Sequence, residues 1–226
     1  DEINRSRHKP YKNFLYILYI EMPRKYYKKR YSSKADKALK IAKKLQNDLQ
    51  PEYKYKDHHY NGTVSDTGQI VVLNRMTRGT SSVERIGDSI KTVSIYCKGY
   101  AHCQATGATT VRRIVFIDRQ PDGLVPTLGL LLQDATTDPT IAFRDLQNRD
   151  QYIILSDDHI CVNPNGNEKV EFKDFYRKIN LKTIFQGNTG LINDIVSNGL
   201  FVMYVSDRST ALPTIKTKHR IRYTDM

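Results

Sequence analysis

The chain has 226 residues, with 36 lysines and arginines against 24 aspartates and glutamates and a formal net charge of +12. This length is enough for one sizeable hydrophobic core. The longest apolar run, residues 14–20, is far shorter than the roughly 18 to 20 residues of a membrane helix, and residues 1–21 lack the pattern of a secretory signal peptide. Composition therefore excludes a helical membrane protein and argues against a secreted one.

The excess positive charge is concentrated at the N-terminal end. Residues 1–56 contain 16 Lys+Arg and 6 Asp+Glu, a net of +10, whereas residues 57–226 contain 20 against 18, a net of +2. A merely solvated charged surface would spread the excess evenly along the chain. The distribution predicts a nucleic-acid-binding arm, residues 1–56, joined to a globular domain, residues 57–226.

The arm contains a segment in which basic and tyrosine residues alternate. Amines neutralise phosphates and flat rings stack on any base, so such a segment suits single-stranded nucleic acid. Nuclear import and a disordered solubilising tail are alternatives that the same residues allow. The candidate nucleic-acid-binding residues here are Arg24, Lys25, Tyr26, Tyr27, Lys28, Lys29, Arg30 and Tyr31.

A helix is predicted from Ser33 to Leu49, with Ser33 as its N-cap and Pro51 ending it. Apolar residues follow the 3.6-residue period on one side, and lysines gather on another. The lysine side is suited to phosphates, although an ordinary surface helix would show the same pattern. Its candidate nucleic-acid-binding residues are Lys34, Lys37, Lys40, Lys43 and Lys44.

Beyond residue 57 the pattern changes to strands separated by turn residues. Two runs, residues 114–117 and 200–205, are continuously apolar and are therefore predicted to be central strands. The absence of regular helical crossovers between strands predicts an antiparallel sandwich or barrel. The predicted strands are residues 69–74, 89–102, 110–119, 151–156, 159–162, 170–185, 200–206 and 214–223.

The segment from Gln120 to Asp150 interrupts this pattern and has many turn residues. A loop this long in a compact β domain usually has a task, and contact with a neighbouring subunit is the one we expect. One helical turn is predicted near residues 143–146.

The sequence contains none of the common motifs for nucleotide hydrolysis or nucleophilic catalysis. No glycine precedes a lysine, which excludes a phosphate-binding loop, and no Gly-x-Ser-x-Gly elbow occurs. His58 and His59 are adjacent, so on a strand they would face opposite sides. The same geometry weakens Asp157, Asp158 and His159 as a metal or acid-base site, although a partner subunit could complete a calcium site there. We predict no enzyme activity, no metal site and no cofactor.

The β region resembles the capsid proteins of circular single-stranded DNA viruses that encode a replication protein (CRESS-DNA viruses), and more distantly the coat protein of satellite tobacco necrosis virus. The matching segments, in order, are residues 85–90, 115–121, 148–152, 154–157 and 220–225. The resemblance implies a single antiparallel eight-stranded jelly roll, sixty copies in a T=1 icosahedral shell, and an arm directed onto a single-stranded DNA genome. The lysine-dominated arm departs from the arginine-rich arms of such coats.

The expected function is therefore that of a viral capsid protein, with identical subunits and single-stranded nucleic acid as partners and no membrane. The expected locations are the virion and, during assembly, the host cell nucleus. One alternative is a non-capsid single-stranded nucleic-acid-binding protein, either of the movement or silencing type or a cellular single-strand-binding module. A glycan-binding or enzymatic jelly roll is a third class. If the arm does not bind, the predicted surface lies on the last strand, at Lys216, Lys218, Arg220 and Arg222.

Overall fold

A computed structural model describes residues 34–48, 51–103, 107–166 and 168–226. The chain divides after Gln50 into an N-terminal unit and a compact β unit from Pro51 to Met226. The described part of the N-terminal unit is helix α1, Lys34–Asp48, which confirms the predicted helix. Ser33 and the candidate residues 24–31 lie outside the described residues. No helix within the described ranges is long and apolar enough to span a membrane.

The described residues of the β unit form ten strands and two short helical segments. The helical segments are helix α2, Leu128–Leu131, and a 3-10 turn at Ile192–Asp194. The strands are β1 Lys54–Thr63, β2 Gln69–Val72, β3 Ser89–His102, β4 Thr109–Asp118, β5 Tyr152–Val162, β6 Lys169–Glu171, β7 Phe175–Phe185, β8 Ile195–Ser197, β9 Gly199–Ser206 and β10 Thr214–Asp225.

The strands form two antiparallel sheets. One has the order β1-β10-β3-β7-β8, with β6 also pairing with β3, and the other has the order β2-β9-β4-β5. Leaving out the three-residue strands β6 and β8, four strands remain in each sheet, in the orders β1-β10-β3-β7 and β2-β9-β4-β5. Successive strands change sheet except β4 and β5, which pair with each other. This strand order is that of the jelly roll found in viral capsid proteins, lectins and cupins. The predicted fold class is thus confirmed.

Several predicted boundaries differ from the structure. Strand β1 was not predicted: it begins at Lys54, inside the segment assigned to the arm, and its polar sequence fits an edge strand that only β10 pairs. Strand β5 runs unbroken where two strands were expected, and residues 170–185 form two strands, β6 and β7. The helical turn lies at Leu128–Leu131, and the prediction of one near residues 143–146 was wrong, because Arg144 bridges to Leu132 in extended backbone.

The core lies between the sheets and is densest at strands β4 and β9. All eight residues of β9 are buried, as are nine of the ten residues of β4, which confirms the prediction that the two apolar runs are central. Tyr204 stacks on Tyr60 with ring centroids 5.5 Å apart, and its hydroxyl lies 2.7 Å from Nε2 of His219 on β10. Contacts of this kind join the two sheets.

The insertion, residues 120–150, is held against strands β4 and β5. Arg112 on β4 donates hydrogen bonds to the carbonyls of Pro139 at 3.0 Å and Ala142 at 2.7 Å, and it pairs with both carboxylate oxygens of Asp157 at 2.8 and 2.9 Å. His159 on β5 adds a ring nitrogen 2.8 Å from the carbonyl oxygen of Thr140. The insertion is therefore fixed in place by buried polar contacts, and the outer side of this sheet is partly covered.

Candidate nucleic-acid interface

The outer side of the six-stranded sheet is basic because of how its strands alternate. On β10 the even-numbered residues from Lys216 to Arg222 point outward, while Ile215, Thr217, His219 and Ile221 are buried in the core. Successive outward residues lie about 6.6 Å apart along a strand. Strand β10 therefore presents a row of four basic side chains at the centre of an open surface.

Neighbouring strands extend this row into a basic face. Its nine basic residues are Lys91, Lys98, Lys169, Lys178, Lys182, Lys216, Lys218, Arg220 and Arg222, and its three acidic residues are Asp57, Glu171 and Asp174. The net charge of this set is +6, whereas all of residues 51–226, with 22 Lys+Arg and 19 Asp+Glu, carry only +3. The remainder of the β unit is therefore net acidic, and its charge is separated between surfaces.

Tyrosine rings lie among these basic groups. Each ring has a cationic group near its face, an arrangement that attracts the cation to the π-system. The closest are Lys169 Nζ, 4.2 Å from the Tyr100 ring centroid, and the Arg222 guanidinium, 4.5 Å from that of Tyr53. Similar but longer contacts join Arg220 to Tyr55 and Lys98 to Tyr96. Rings beside cations are the combination that binds bases and phosphates together.

Two adjoining grooves cross this face. The larger, of about 530 Å³, is lined by His59, Tyr96, Lys98, Gly99, Tyr100, Lys169, Glu171, Asp174, Lys216, Thr217 and Lys218. The smaller, of about 220 Å³, shares Tyr96, Lys98 and Lys218 with it and continues to Asp57 and Arg220. Together they make a shallow track across β1, β10 and β3 that an extended polymer could follow.

Gly99 forms part of the floor of the larger groove. Its φ of +155° lies in a region that side chains disfavour, and a Cβ atom there would come within 2.4 Å of the Lys216 carbonyl oxygen. Only glycine allows β3 to approach β10 so closely at this point. The close approach brings Lys98 and Tyr100 beside the basic row of β10.

Two polar contacts fix side chains on the face. The Arg220 guanidinium binds both carboxylate oxygens of Asp57 at 2.7 and 2.6 Å, and this hydrogen bonding lowers the pKa of Asp57. The Tyr96 hydroxyl donates a 2.5 Å hydrogen bond to Asp174, which raises the pKa of Tyr96. Arg220 is therefore partly neutralised, while Tyr96 is held as a neutral ring.

The sequence-predicted site residues have three different outcomes. Those at residues 24–31 lie outside the described residues. Lys34, Lys37, Lys40, Lys43 and Lys44 are all exposed on α1, within the N-terminal unit. Lys216, Lys218, Arg220 and Arg222 lie together on the sheet, as the alternative prediction placed them.

The acidic segment that was considered for metal binding has structural roles. Asp157 pairs with Arg112, Asp158 pairs with Arg113, and His159 contacts the insertion. No cluster of three or more histidine, cysteine or acidic residues that could hold a metal ion occurs in the described part of the chain. His58 and His59 face opposite sides of β1, as predicted: His59 lines the groove, and His58 is partly buried opposite His219.

The contributions of strands β3, β6 and β7 to the face were not predicted from the sequence. The missed residues are Tyr96, Lys98, Tyr100, Lys91, Lys169, Lys178 and Lys182. One signal was available, because Tyr96, Lys98 and Tyr100 alternate along β3 with the small residues Cys97, Gly99 and Ala101, of which Cys97 and Ala101 are buried. Nothing in the sequence indicated that these two strands pair.

The fold and this surface define a jelly-roll protein with an open basic sheet. No family model matches the sequence, and no curated protein matches it. Among solved structures, the chain is similar to one from the Bacillus endospore appendages, which are disulfide-linked pili. The sequence identity is 14% and the TM-score is 0.28. The match covers 78% of this chain and 92% of the pilus chain.

Two further similar structures come from infectious bursal disease virus. The Gx strain structure has 8% identity, a TM-score of 0.27 and coverage of 78% of this chain and 32% of that one. A mutant VP2 protein in derived T=1 particles has 11% identity, a TM-score of 0.16 and coverage of 79% and 41%. This chain thus spans a third to two fifths of those viral chains. TM-scores this low do not support any statement about function. The jelly-roll assignment therefore depends on the strand order of the two sheets.

Proposed function

We propose that the protein is a capsid-type structural protein that assembles with identical copies into a small closed shell and holds single-stranded nucleic acid. The observation that supports this best is the basic face, with a net charge of +6 on an open sheet and tyrosine rings among its cations. A sheet surface of this kind binds a charged polymer without reading its sequence, because phosphates carry no base information. The resemblance to CRESS-DNA virus capsids favours sixty subunits, a single-stranded DNA genome, location in the virion and assembly in the host nucleus.

In this proposal the lysine-rich N-terminal segment adds to the same electrostatic binding. Residues 1–50 contain 14 Lys+Arg and 5 Asp+Glu, a net of +9, and the described lysines of α1 are exposed to a ligand. Each phosphate that is neutralised releases counterions, so both surfaces act through the same sequence-independent free energy. In this proposal, basic residues of the arm and of the basic face both neutralise phosphate charges of the nucleic acid.

Binding to the basic face is tested by replacing Lys216, Lys218 and Arg222 with alanine. Arg220 is left in place because Asp57 already pairs with it. Each lost phosphate contact should reduce the salt slope of single-strand binding by about 0.7, so the triple variant should lose about 2. The measurement is the affinity of the full chain for labelled single-stranded DNA over a range of salt concentrations. The matched control replaces Arg119, Arg144 and Arg149, which removes the same charge elsewhere, and an equal loss of slope in that control would refute a role for the face.

Assembly is proposed to use the insertion. Ile141 and Phe143 are 76% and 82% exposed, although Arg112 and His159 hold the backbone between Pro139 and Ala142 through hydrogen bonds. Apolar side chains on a fixed backbone lose little entropy on binding, which is typical of interface anchors. A second copy of the chain is the partner that a closed shell provides.

The assembly prediction is that Ile141→Asp with Phe143→Asp abolishes shells while leaving single-stranded DNA binding intact. Electron microscopy and light scattering of the purified protein, with and without DNA, would measure this. Thr136→Asp with Thr137→Asp adds the same charge to exposed polar positions of the insertion and should still assemble. Wild-type protein that stays monomeric in every salt and pH condition would instead favour the non-capsid nucleic-acid-binding function.

A further inference from the structure

The centre of the larger groove contains an unusual row of side chains. His59, Lys218 and Lys98 are direct partners across the three adjacent strands β1, β10 and β3. Like charges placed directly opposite on neighbouring strands destabilise a sheet. Lys218 and Lys98 therefore oppose each other at a cost in folding free energy that the fold itself does not require.

The two rows on either side of this central row differ from it, because each contains a carboxylate. Glu171 lies opposite Tyr100 in one flanking row, and Asp57 binds Arg220 in the other. In the described part of the chain, no carboxylate oxygen lies within 4.0 Å of the amines of Lys98 or Lys218. The central row is thus the part of the groove whose two lysines have no ion pair among the described residues, although Asp57 interacts with Lys218 over a longer distance. Arrangements that lower stability, such as this pair of like charges, are expected mainly at functional sites.

We propose that this central row holds one backbone phosphate of a single-stranded nucleic acid, with bases stacked on the tyrosines of the flanking rows. The inference depends on the proposed nucleic-acid function and assigns it a specific subsite. An anion between Lys98 and Lys218 relieves their repulsion, and the ring of His59 supplies a further polar contact at the β1 side of the groove. The flexible ammonium groups suit a phosphate that is bound as a point charge.

The positions of two tyrosines favour a nucleotide over a simple anion. Tyr96 and Tyr100 lie on β3 on either side of Lys98, each two residues away, so both rings project from the same side of the sheet. Tyr96 is also held by its hydrogen bond to Asp174. A ring fixed in advance loses little entropy when a base stacks on it. A sulfated polysaccharide would use the lysines but would gain nothing from stacking.

The first test replaces Lys98 and Lys218 with alanine in the full chain and measures binding of fluorescent oligothymidylate. Loss of the one phosphate contact that this row holds should weaken binding by about 5-fold in 0.1 M salt. The matched control replaces Lys178 and Lys182, two exposed lysines of the same face that do not line the groove. The Lys178 and Lys182 control variant should weaken oligothymidylate binding much less than the Lys98 and Lys218 variant. Thermal unfolding should show the groove variant to be no less stable than wild type, because a like-charge pair has been removed.

The second test separates stacking from charge. Tyr96→Leu and Tyr100→Leu should each weaken oligothymidylate binding by about 5- to 150-fold, the equivalent of one stacked base, with the salt slope unchanged. An abasic oligonucleotide, which has the same phosphates without bases, should bind both variants as it binds wild type. Equal loss for the abasic strand, or tighter binding of heparin than of oligothymidylate at equal salt, would overturn the subsite.

The outcomes also separate this inference from the broader proposal. If the groove variant and the Lys178 and Lys182 control weaken binding equally, the subsite is wrong and the basic face still binds as a whole. If neither variant nor the β10 triple variant changes binding, the basic face is not the nucleic-acid surface, and both proposals fail at this site.

Discussion

Replacing Asp158 with alanine is expected to lower the free energy of unfolding by about 3 to 5 kcal/mol. Asp158 on β5 is the ion-pair partner of Arg113 on β4, at 2.9 Å, and the Arg113 side chain is completely buried. The guanidinium also donates to the carbonyl of Lys173 at 2.6 Å and lies over the Phe172 ring. Without the carboxylate, a full positive charge would remain in the core with only the Lys173 carbonyl and the Phe172 ring as partners, and without its ion pair. Urea unfolding of the full chain measures the change.

Two control variants identify the cause of that loss. Asp150 is paired with Arg149 at 3.8 Å but its side chain is 94% exposed, so Asp150→Ala should change stability by no more than about 0.5 kcal/mol. The double variant Arg113→Met with Asp158→Ala removes the buried charge together with its partner and should recover much of the loss. A double variant as unstable as Asp158→Ala alone would show that the uncompensated charge is not the reason.

Acidification from pH 8 to about 4.5 is expected to remove about 5 kcal/mol of stability through two histidines. His219 is buried beside Tyr204, and burial lowers its pKa from 6.5 to about 3. His58 lies opposite it on β1. Burial, and to a smaller extent the charges of Lys56 and Arg75, lower the pKa of His58 from 6.5 to about 4. Both rings stay neutral in the folded protein at pH values where the unfolded chain already binds protons. Stability is therefore complete above about pH 6.5 and falls as the pH decreases.

The physical reason at His219 is burial, because a second proton would place a positive charge away from water and near the charges of His58 and Arg113. Its Nε2 lies against the Tyr204 hydroxyl, and within the described residues its Nδ1 has no hydrogen-bond partner. Urea midpoints measured between pH 8 and 4.5 should fall steadily for wild type. His58→Gln with His219→Gln should flatten this dependence whatever its effect at pH 8. Carboxylates with lowered pKa values, such as Asp57 and Asp157, lose their contribution only at still lower pH, so an unflattened profile would rule out the histidines.

The strands were the most predictable part of the structure. Residues alternate along β3 and β10 because each of these strands buries one face, and the apolar runs of β4 and β9 are unbroken because these strands bury both faces. Such patterns can be read from neighbouring residues along the chain. Strand β1 was not predicted because the sequence of β1 is mainly polar, and an edge strand needs to bury only one side. The split of residues 170–185 into β6 and β7 was not predicted, because the break contains neither glycine nor proline and only Lys173 and Asp174 separate Phe172 from Phe175.

The sequence by itself determined the fold class, the position of α1, and the location of most of the excess charge in residues 1–56. Only the tertiary structure decided that the nearly neutral β unit has a basic face. Lys98 and Lys218 are far apart in the chain, and the antiparallel register of β3 with β10 makes them neighbours. The pairing of Arg113 with Asp158 likewise depends on the register of β4 with β5. Strand register is set by long-range packing of both sheets, so the charges that define the candidate site could not be grouped until the strands were paired.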